Sequence, residues 1–316
     1  MPRDFLHNHP QFADLIRIVA EDKSIDPALV EKDYWIMQCL YGLQQHPFTF
    51  QLKGGTSLSK GHKIIGRFSE DIDILIEPSP DRDVKTGKNH DKPLHIQSRK
   101  DFYDWLAKTI KIDGITSVER DTEFDDIPKY RSAGIKLNYT TAVEALQGLR
   151  DGVLLEVGFD TVAPNTPKDI SSWVYDHAVA RKVDVIDNRA KAVPCYDPGY
   201  TFVEKLQTVS TKFRKQQVDG SDPVDFMRHY YDIHELLQQP DVHSFIGTEK
   251  YIAHKQARFR QDDNQNIAEN EAFQLSDTKT RALYADAYER SSALYYAGKP
   301  SFDDILAEIK KWVDKL

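Results

Sequence analysis

Apolar and polar positions change rhythm along the chain, and each change marks an element. Asp26-Pro27 sets an N-cap residue before a proline at the first helical position. Val30, Tyr34, Met37 and Tyr41 then recur at helical spacing, predicting a helix with one buried face. The period next shortens: Phe48, Phe50 and Leu52 alternate with Thr49 and Gln51, a strand that runs into Lys53-Gly54-Gly55. A short helix is expected over residues 56–64. In Asp71-Ile72-Asp73-Ile74-Leu75-Ile76 the alternation puts Asp71, Asp73 and Leu75 on one strand face and the three isoleucines on the other, and Pro78 closes the strand. Residues 79–93 are polar and proline-containing and read as an exposed loop. A helix over 96–111 follows, with Phe102, Leu106 and Ile110 on one face. Two strands are expected over 131–140 and 153–159, joined by a connector whose Gly148 and Gly152 favour a turn.

From about Gly199 the pattern becomes helix after helix. Phe202, Leu206, Val209 and Phe213 define one; Asp222-Pro223 caps another, with Phe226, Tyr230, Ile233 and Leu237 on its apolar face. Residues 276–297 and 301–316 predict two more, the last capped by Ser301. The reading is a mixed-sheet N-terminal domain, residues 1–198, and a C-terminal helical bundle, residues 199–316, with the boundary falling within 187–200.

Composition narrows the function. The 316 residues are 40% hydrophobic and 29% charged, which excludes a disordered chain. No run of 18 apolar residues occurs, so no membrane partner is expected. The opening MPRDFLHNHP lacks the basic start and apolar stretch of a secretory signal, so a cytoplasmic location is expected. Cys39 and Cys195 lie far apart without a CxxC and read as buried small hydrophobes. A net charge of −8 argues against non-specific coating of nucleic acid, so any polyanion contact must be focal.

Candidate chemistry concentrates in Lys53-Gly54-Gly55-Thr56-Ser57-Leu58-Ser59-Lys60 and Phe68-Ser69-Glu70-Asp71-Ile72-Asp73. Two glycines at a strand-to-helix junction let backbone amides approach a ligand, and the helix start supplies unpaired N–H groups suited to phosphate. Asp71 and Asp73 on one strand face can bridge Mg²⁺, or Mn²⁺, which borrows its remaining ligands from substrate phosphates. Singly, the glycine pair is also a tight turn and the DxD also a solvated strand face; it is their coupling that points to metal-assisted phosphoryl chemistry. The Gly-Lys-Ser/Thr ending of a P-loop is missing, Asp262, Asn264 and Asn266 lack the glycine and glutamate of a calcium loop, and no GxSxG is present.

The glycine loop, helix and DxD strand resemble polymerase-beta-type nucleotidyltransferases. With Glu31-Lys32-Asp33-Tyr34-Trp35, Phe202-Val203-Glu204-Lys205-Leu206 and Arg228-His229-Tyr230-Tyr231-Asp232, the chain resembles the AbiEii family, which includes toxins of type IV toxin–antitoxin and phage-abortive systems and the related MenT toxins. The resemblance spans about residues 27–238. It implies an α+β fold, a polymerase-beta-type mixed sheet flanked by helices and followed by a helical bundle. It also implies transfer of a nucleoside monophosphate from an NTP to an acceptor hydroxyl, with a tRNA 3′ end as acceptor and a cognate antitoxin as partner. A protein or small-molecule acceptor, or a non-catalytic NTP-binding module, are the alternatives.

The implied nucleotide-binding residues are Gly54, Gly55, Thr56, Ser57, Lys60, Ser69, Lys205 and Lys212; Lys205 and Lys212, seven apart on a helix, share a face about 10 Å apart. Asp71 and Asp73 would hold metal, with Glu156 as third carboxylate and proton acceptor and Asp160 the other candidate. Lys205 and Asp232 complete the implied catalytic set, the helical domain contributing Lys205, Lys212 and Asp232. Arg228 and Asp232 also fit an ordinary i,i+4 ion pair on the polar side of their helix.

Overall fold

The computed structural model describes residues 3–291 and 295–316. The chain divides into two units. The first takes the residues up to His62 together with Ser69–Tyr196; the second takes Lys63–Phe68 together with Asp197–Leu316.

The first unit is a seven-stranded mixed sheet with helices. Its helices are α1 (Phe12–Lys23), α2 (Pro27–Gln44), α3 (Gly54–Thr56, continued by a π-helical turn Ser57–Gly61), α4 (Pro93–Thr109) and α5 (Trp173–Ala180). Its strands are β1 (Phe50–Lys53), β2 (Asp71–Ile76), β3 (Ile115–Asp121), β4 (Ser132–Tyr139), β5 (Val153–Gly158), β6 (Asn165–Ile170) and β7 (Ala190–Tyr196). They lie in the order β3-β4-β5-β2-β1-β7-β6. The β2/β5 and β1/β7 pairs are parallel and the other four antiparallel. In β2 the alternation behaves as its sequence predicts: Ile72, Ile74 and Ile76 are fully buried while Asp71 and Asp73 face the partly open side.

Helix α2 starts where expected, Asp26 accepting from the Ala28 N–H with Pro27 at the first position. It does not have one buried face. Leu29 to Leu40 are all buried, Glu31, Lys32, Asp33 and Gln38 included. The helix packs against α1, α5, β5 and β7, so its polar positions have no solvent side and must find partners inside. The strands β3, β6 and β7 and helix α5 have no counterpart in the sequence reading. Strand β6 is an exposed sheet edge containing Pro167, which sits opposite Pro194 of β7. Pro167 is tolerated because β6 is the edge strand of the sheet, the place to which strand prolines are confined. Helix α4 begins and ends a few residues earlier than expected, with Pro93 at its start.

The second unit is helical: α6 (Pro198–Asp219), α7 (Met227–Leu236), α8 (Pro240–Phe245), α9 (Glu249–Arg258), α10 (Glu271–Gln274), α11 (Thr278–Arg290) and α12 (Phe302–Trp312). Asp197 caps α6 by accepting from the Gly199 and Tyr200 N–H groups, and Gly220 ends it in the left-handed conformation. Helix α6 packs against α7, α8, α9 and α10. The helix expected over 276–297 stops at Arg290; its stretch 292–294 lies outside the described residues, and Tyr295 bridges to Arg67 instead of extending it. Among the described residues no helix is long and apolar enough to cross a membrane.

Candidate active site

Strand register builds the first half of the site. Asp73 pairs with Lys53 on β1 and with Glu156 on β5, and Glu156 with Gly134 on β4, so Lys53, Asp73 and Glu156 stand side by side on one sheet face. Asp71, two residues earlier on β2, shares that face. Glu156 lies between the fully buried Leu155 and Val157. Asp160 lies beyond the strand end, exposed, with its carboxylate 4.0 Å from Lys53 Nζ. Of the two candidates for a third carboxylate, register brings Glu156 to the DxD pair. Asp71, Asp73 and Glu156 offer oxygen donors only, a set that suits a hard divalent cation. Among the described residues no three His, Cys, Asp or Glu side chains are gathered into a metal site by themselves, so such a cation would need oxygens from a ligand as well.

The glycine loop lies directly against these carboxylates. Gly54 has φ +68°, and a Cβ on it would fall 1.9 Å from Asp73 Oδ2, so both its conformation and its contact exclude a side chain. Lys53, in the N-cap position of α3, makes no capping bond through its side chain, leaving the first helical N–H groups without that partner. Thr56, fully buried, donates from Oγ1 to the Asp71 carbonyl and ties the glycine turn to the carboxylate strand. Ser57 is placed differently from the phosphate-facing position expected of it: its hydroxyl is buried beside the Cys195 thiol. The Lys60 ammonium is ion-paired with buried Asp33. Ser69 is half-buried, two residues ahead of Asp71.

Three consecutive charges on α2 hold the parts around this face. Glu31 accepts from the Ala142 and Val143 N–H groups at 2.8 and 3.3 Å; burial pushes its carboxyl up, and these bonds oppose the rise. Asp33 takes Lys60 and the Trp173 N–H. Lys32, with no exposed surface, donates to the Arg150 carbonyl at 2.6 Å and lies 3.4 Å from Glu70 Oε2, which itself accepts the Arg150 N–H at 3.1 Å. The Arg150 guanidinium then reaches Asp71 Oδ1 at 2.9 Å. Burial nevertheless raises the Asp71 carboxyl to about 6; Arg150 pulls it down, while Glu70 and Asp73 push it further up. Arg150 had no place in the sequence reading, and Glu70 stood there only as part of the motif before Asp71, with no role of its own. The available signal was the run Glu31-Lys32-Asp33 inside an otherwise apolar helix, since buried charges need partners.

The helical unit holds a second charge cluster. Asp232 is fully buried and not on a polar helix side, and its partner is Arg67, not Arg228: Arg67 Nε and Nη2 donate to its two oxygens at 2.6 and 2.7 Å. Lys205 Nζ lies 2.9 Å from Asp232 Oδ2 and 3.2 Å from His229 Nδ1. Burial alone would raise the Asp232 carboxyl, but Arg67 and then Lys205 outweigh it and hold it well below the usual carboxylate range. Lys205 and Lys212 share a helix face yet differ in setting, the first buried and the second exposed. Arg214 pairs with Asp263 and Lys205 with Asp232, so part of the basic character of α6 is neutralised locally.

A glycine turn opening a helix against a strand that carries two carboxylates, with a third on the neighbouring strand, defines a nucleotidyltransferase. The family model for the nucleotidyl transferase AbiEii toxin of type IV toxin–antitoxin systems matches residues 36–308, and the chain belongs to that family. Among characterised proteins none matches the chain. Of solved structures, an antigenic nucleotidyltransferase-like protein from Paracoccidioides brasiliensis is similar at 13% identity and a TM-score of 0.39, covering 88% of this chain and 93% of that one. Terminal uridylyl transferase 4 from Trypanosoma brucei with bound UPU is similar at 12% identity and a TM-score of 0.28, covering 72% and 58%. Likenesses this distant carry no part of the argument. Family membership makes the protein an NTP-using transferase, and the mixed sheet with its following helices is the α+β architecture expected of one.

Proposed function

We propose that the protein transfers a nucleoside monophosphate from an NTP to the 3′-hydroxyl of an RNA, specifically a tRNA, and that this transfer is the toxic activity of a type IV toxin restrained by a cognate antitoxin. The observation that carries the transfer reaction is the register of Asp73 beside Glu156 with the Gly54 backbone pressed on the same carboxylate. Held by Asp71 and Asp73, Mg²⁺ or Mn²⁺ would supply charge neutralisation for the triphosphate.

The residues of the chain supply the rest. The Gly54 and Gly55 amides, at the positive end of α3, face phosphate oxygens. Glu156 accepts the proton of the acceptor hydroxyl as its oxygen bonds to the α-phosphorus. The bond from that phosphorus to the bridging oxygen breaks, and pyrophosphate leaves. The exposed Lys212 and Lys215 of α6 are assigned to RNA phosphate, which favours a polyanionic acceptor over a small hydroxylated one.

The test is incubation of the purified protein with Mg²⁺, each α-³²P-labelled NTP in turn and total tRNA, beside a protein carrying Asp71→Ala and Asp73→Ala. Label on tRNA in the wild type and none in the double variant is expected, together with growth arrest on expression that the double variant does not cause. NTP binding with no label on RNA would replace the RNA acceptor by a protein or small molecule. Full labelling by the double variant would overturn the mechanism.

A further inference from the structure

We propose that Arg150 is a nucleotide-binding residue: its guanidinium rests on Asp71 in the nucleotide-free protein and passes to the triphosphate when the cation-bearing nucleotide arrives. The inference rests on the reading above that Asp71 and Asp73 receive that cation.

The main chain of Arg150 is held from both sides. Its carbonyl accepts from the fully buried Lys32 and its N–H donates to Glu70, which Lys32 also contacts. Two charges withdrawn from water are thus spent on fixing the backbone of one loop residue, an arrangement that costs desolvation and is kept only if the position matters. The side chain is held far more lightly. Of its five N–H donors, among the described residues, one makes a hydrogen bond, to Asp71 Oδ1, and the guanidinium lies 4.5 Å from the Phe124 ring centre. It remains 32% exposed, whereas Asp71 is 13% exposed. The Arg67–Asp232 pair is the opposite case: Arg67, 3% exposed, grips both oxygens of Asp232. Arg150 therefore has a fixed base, a lightly held and part-exposed tip, and unspent donors in the planar fork that matches phosphate oxygens.

It also occupies the oxygen where a divalent cation would bind. A divalent cation on the same carboxylate repels the guanidinium and weakens its bond to Asp71 Oδ1, so the entering nucleotide frees Arg150 for the triphosphate. Its fixed base keeps it at the same edge of the sheet, where the triphosphate is the largest negative charge. The Phe124 ring gives it a surface to slide along during the exchange.

The two halves of the exchange predict effects of opposite sign. In Arg150→Gln, Mn²⁺ binding without nucleotide, read by the loss of the free-ion paramagnetic signal, should tighten about tenfold, because a competing charge is gone. Affinity for a non-hydrolysable NTP with Mn²⁺ should weaken about tenfold, the worth of one charge-assisted hydrogen bond, and Arg150→Lys should recover part of it. A merely structural arginine would move both affinities in the same direction, and that result overturns the proposal. So does unchanged nucleotide affinity in Arg150→Gln while Arg150→Lys remains folded. Wild-type protein that binds no Mn²⁺, or binds it as well after Asp71→Asn, would instead sink the metal-site reading itself.

Discussion

Asp71 and Asp232 are both carboxylates withdrawn from water beside an arginine, and their surroundings drive them in opposite directions. Asp232 receives both prongs of Arg67 and the ammonium of Lys205, so positive charge outweighs burial and the carboxylate is locked in its charged form. Asp71 receives one bond from Arg150 against the negative charge of Glu70 and Asp73, so burial prevails and its carboxyl rises. The first is a charge-balanced cluster within the helical unit. The second leaves an excess of negative charge in a water-poor place, which is the electrostatic condition for taking up a further cation. Burial and a nearby arginine do not by themselves set the charge state of a carboxylate; the local sum of charge does.

The sharpest test of the contrast is activity. Asp71→Ala and Asp73→Ala should each lower NTP transfer by about a thousandfold while leaving the far-UV circular dichroism and melting curve of a folded protein. Next in size, Asp232→Asn leaves Arg67 buried without its counter-charge. It should cost about 3–5 kcal/mol, seen as a melting temperature lower by about 10 °C. Should Asp71→Ala unfold the protein while Asp232→Asn leaves the melting curve unchanged, the contrast in charge balance fails.

The same contrast has a pH signature. Asp232, depressed below its ordinary value of 3.8, contributes stability that is present above pH 4 and lost as pH falls toward its folded value. Between pH 5 and 3 the wild type should therefore lose more melting temperature than Asp232→Asn does. Gly54→Ala comes next. It sets a methyl group onto Asp73 at a positive φ, and transfer should fall about a hundredfold with about 1–3 kcal/mol of stability. Smallest, Thr56→Val removes the hydroxyl that binds the Asp71 carbonyl and should cost about 1 kcal/mol, read as a proportionate drop in melting temperature with transfer largely kept.

Sequence made the carboxylate-bearing part of the sheet more legible than the charge pairs that hold each unit together, for a physical reason. The strand carrying Asp71 and Asp73, the glycine junction and the caps at Asp26, Asp222 and Ser301 are local patterns, each set within a few residues. What stayed hidden joins distant positions. Arg67 meets Asp232 across 165 residues and Lys32 meets Arg150 across 118, and no spacing rule links such partners. Local rules also misled where tertiary packing overrode them. Helix α2 reads as amphipathic but is enclosed on all sides, Asp232 reads as a helix-surface charge, and the proline-bearing β6 and β7 do not read as strands.

The six residues Lys63–Phe68 give the second unit a history as well as a shape. They belong to it in contacts but are encoded between the glycine helix and the carboxylate strand of the first. A recombination or truncation at Asp197, the tidy place to cut on the linear map, would deliver a helical half with Asp232 and Lys205 but without Arg67. A helical half made without that short upstream segment lacks the arginine that neutralises its buried Asp232, so any graft of this half onto another chain must carry the segment with it.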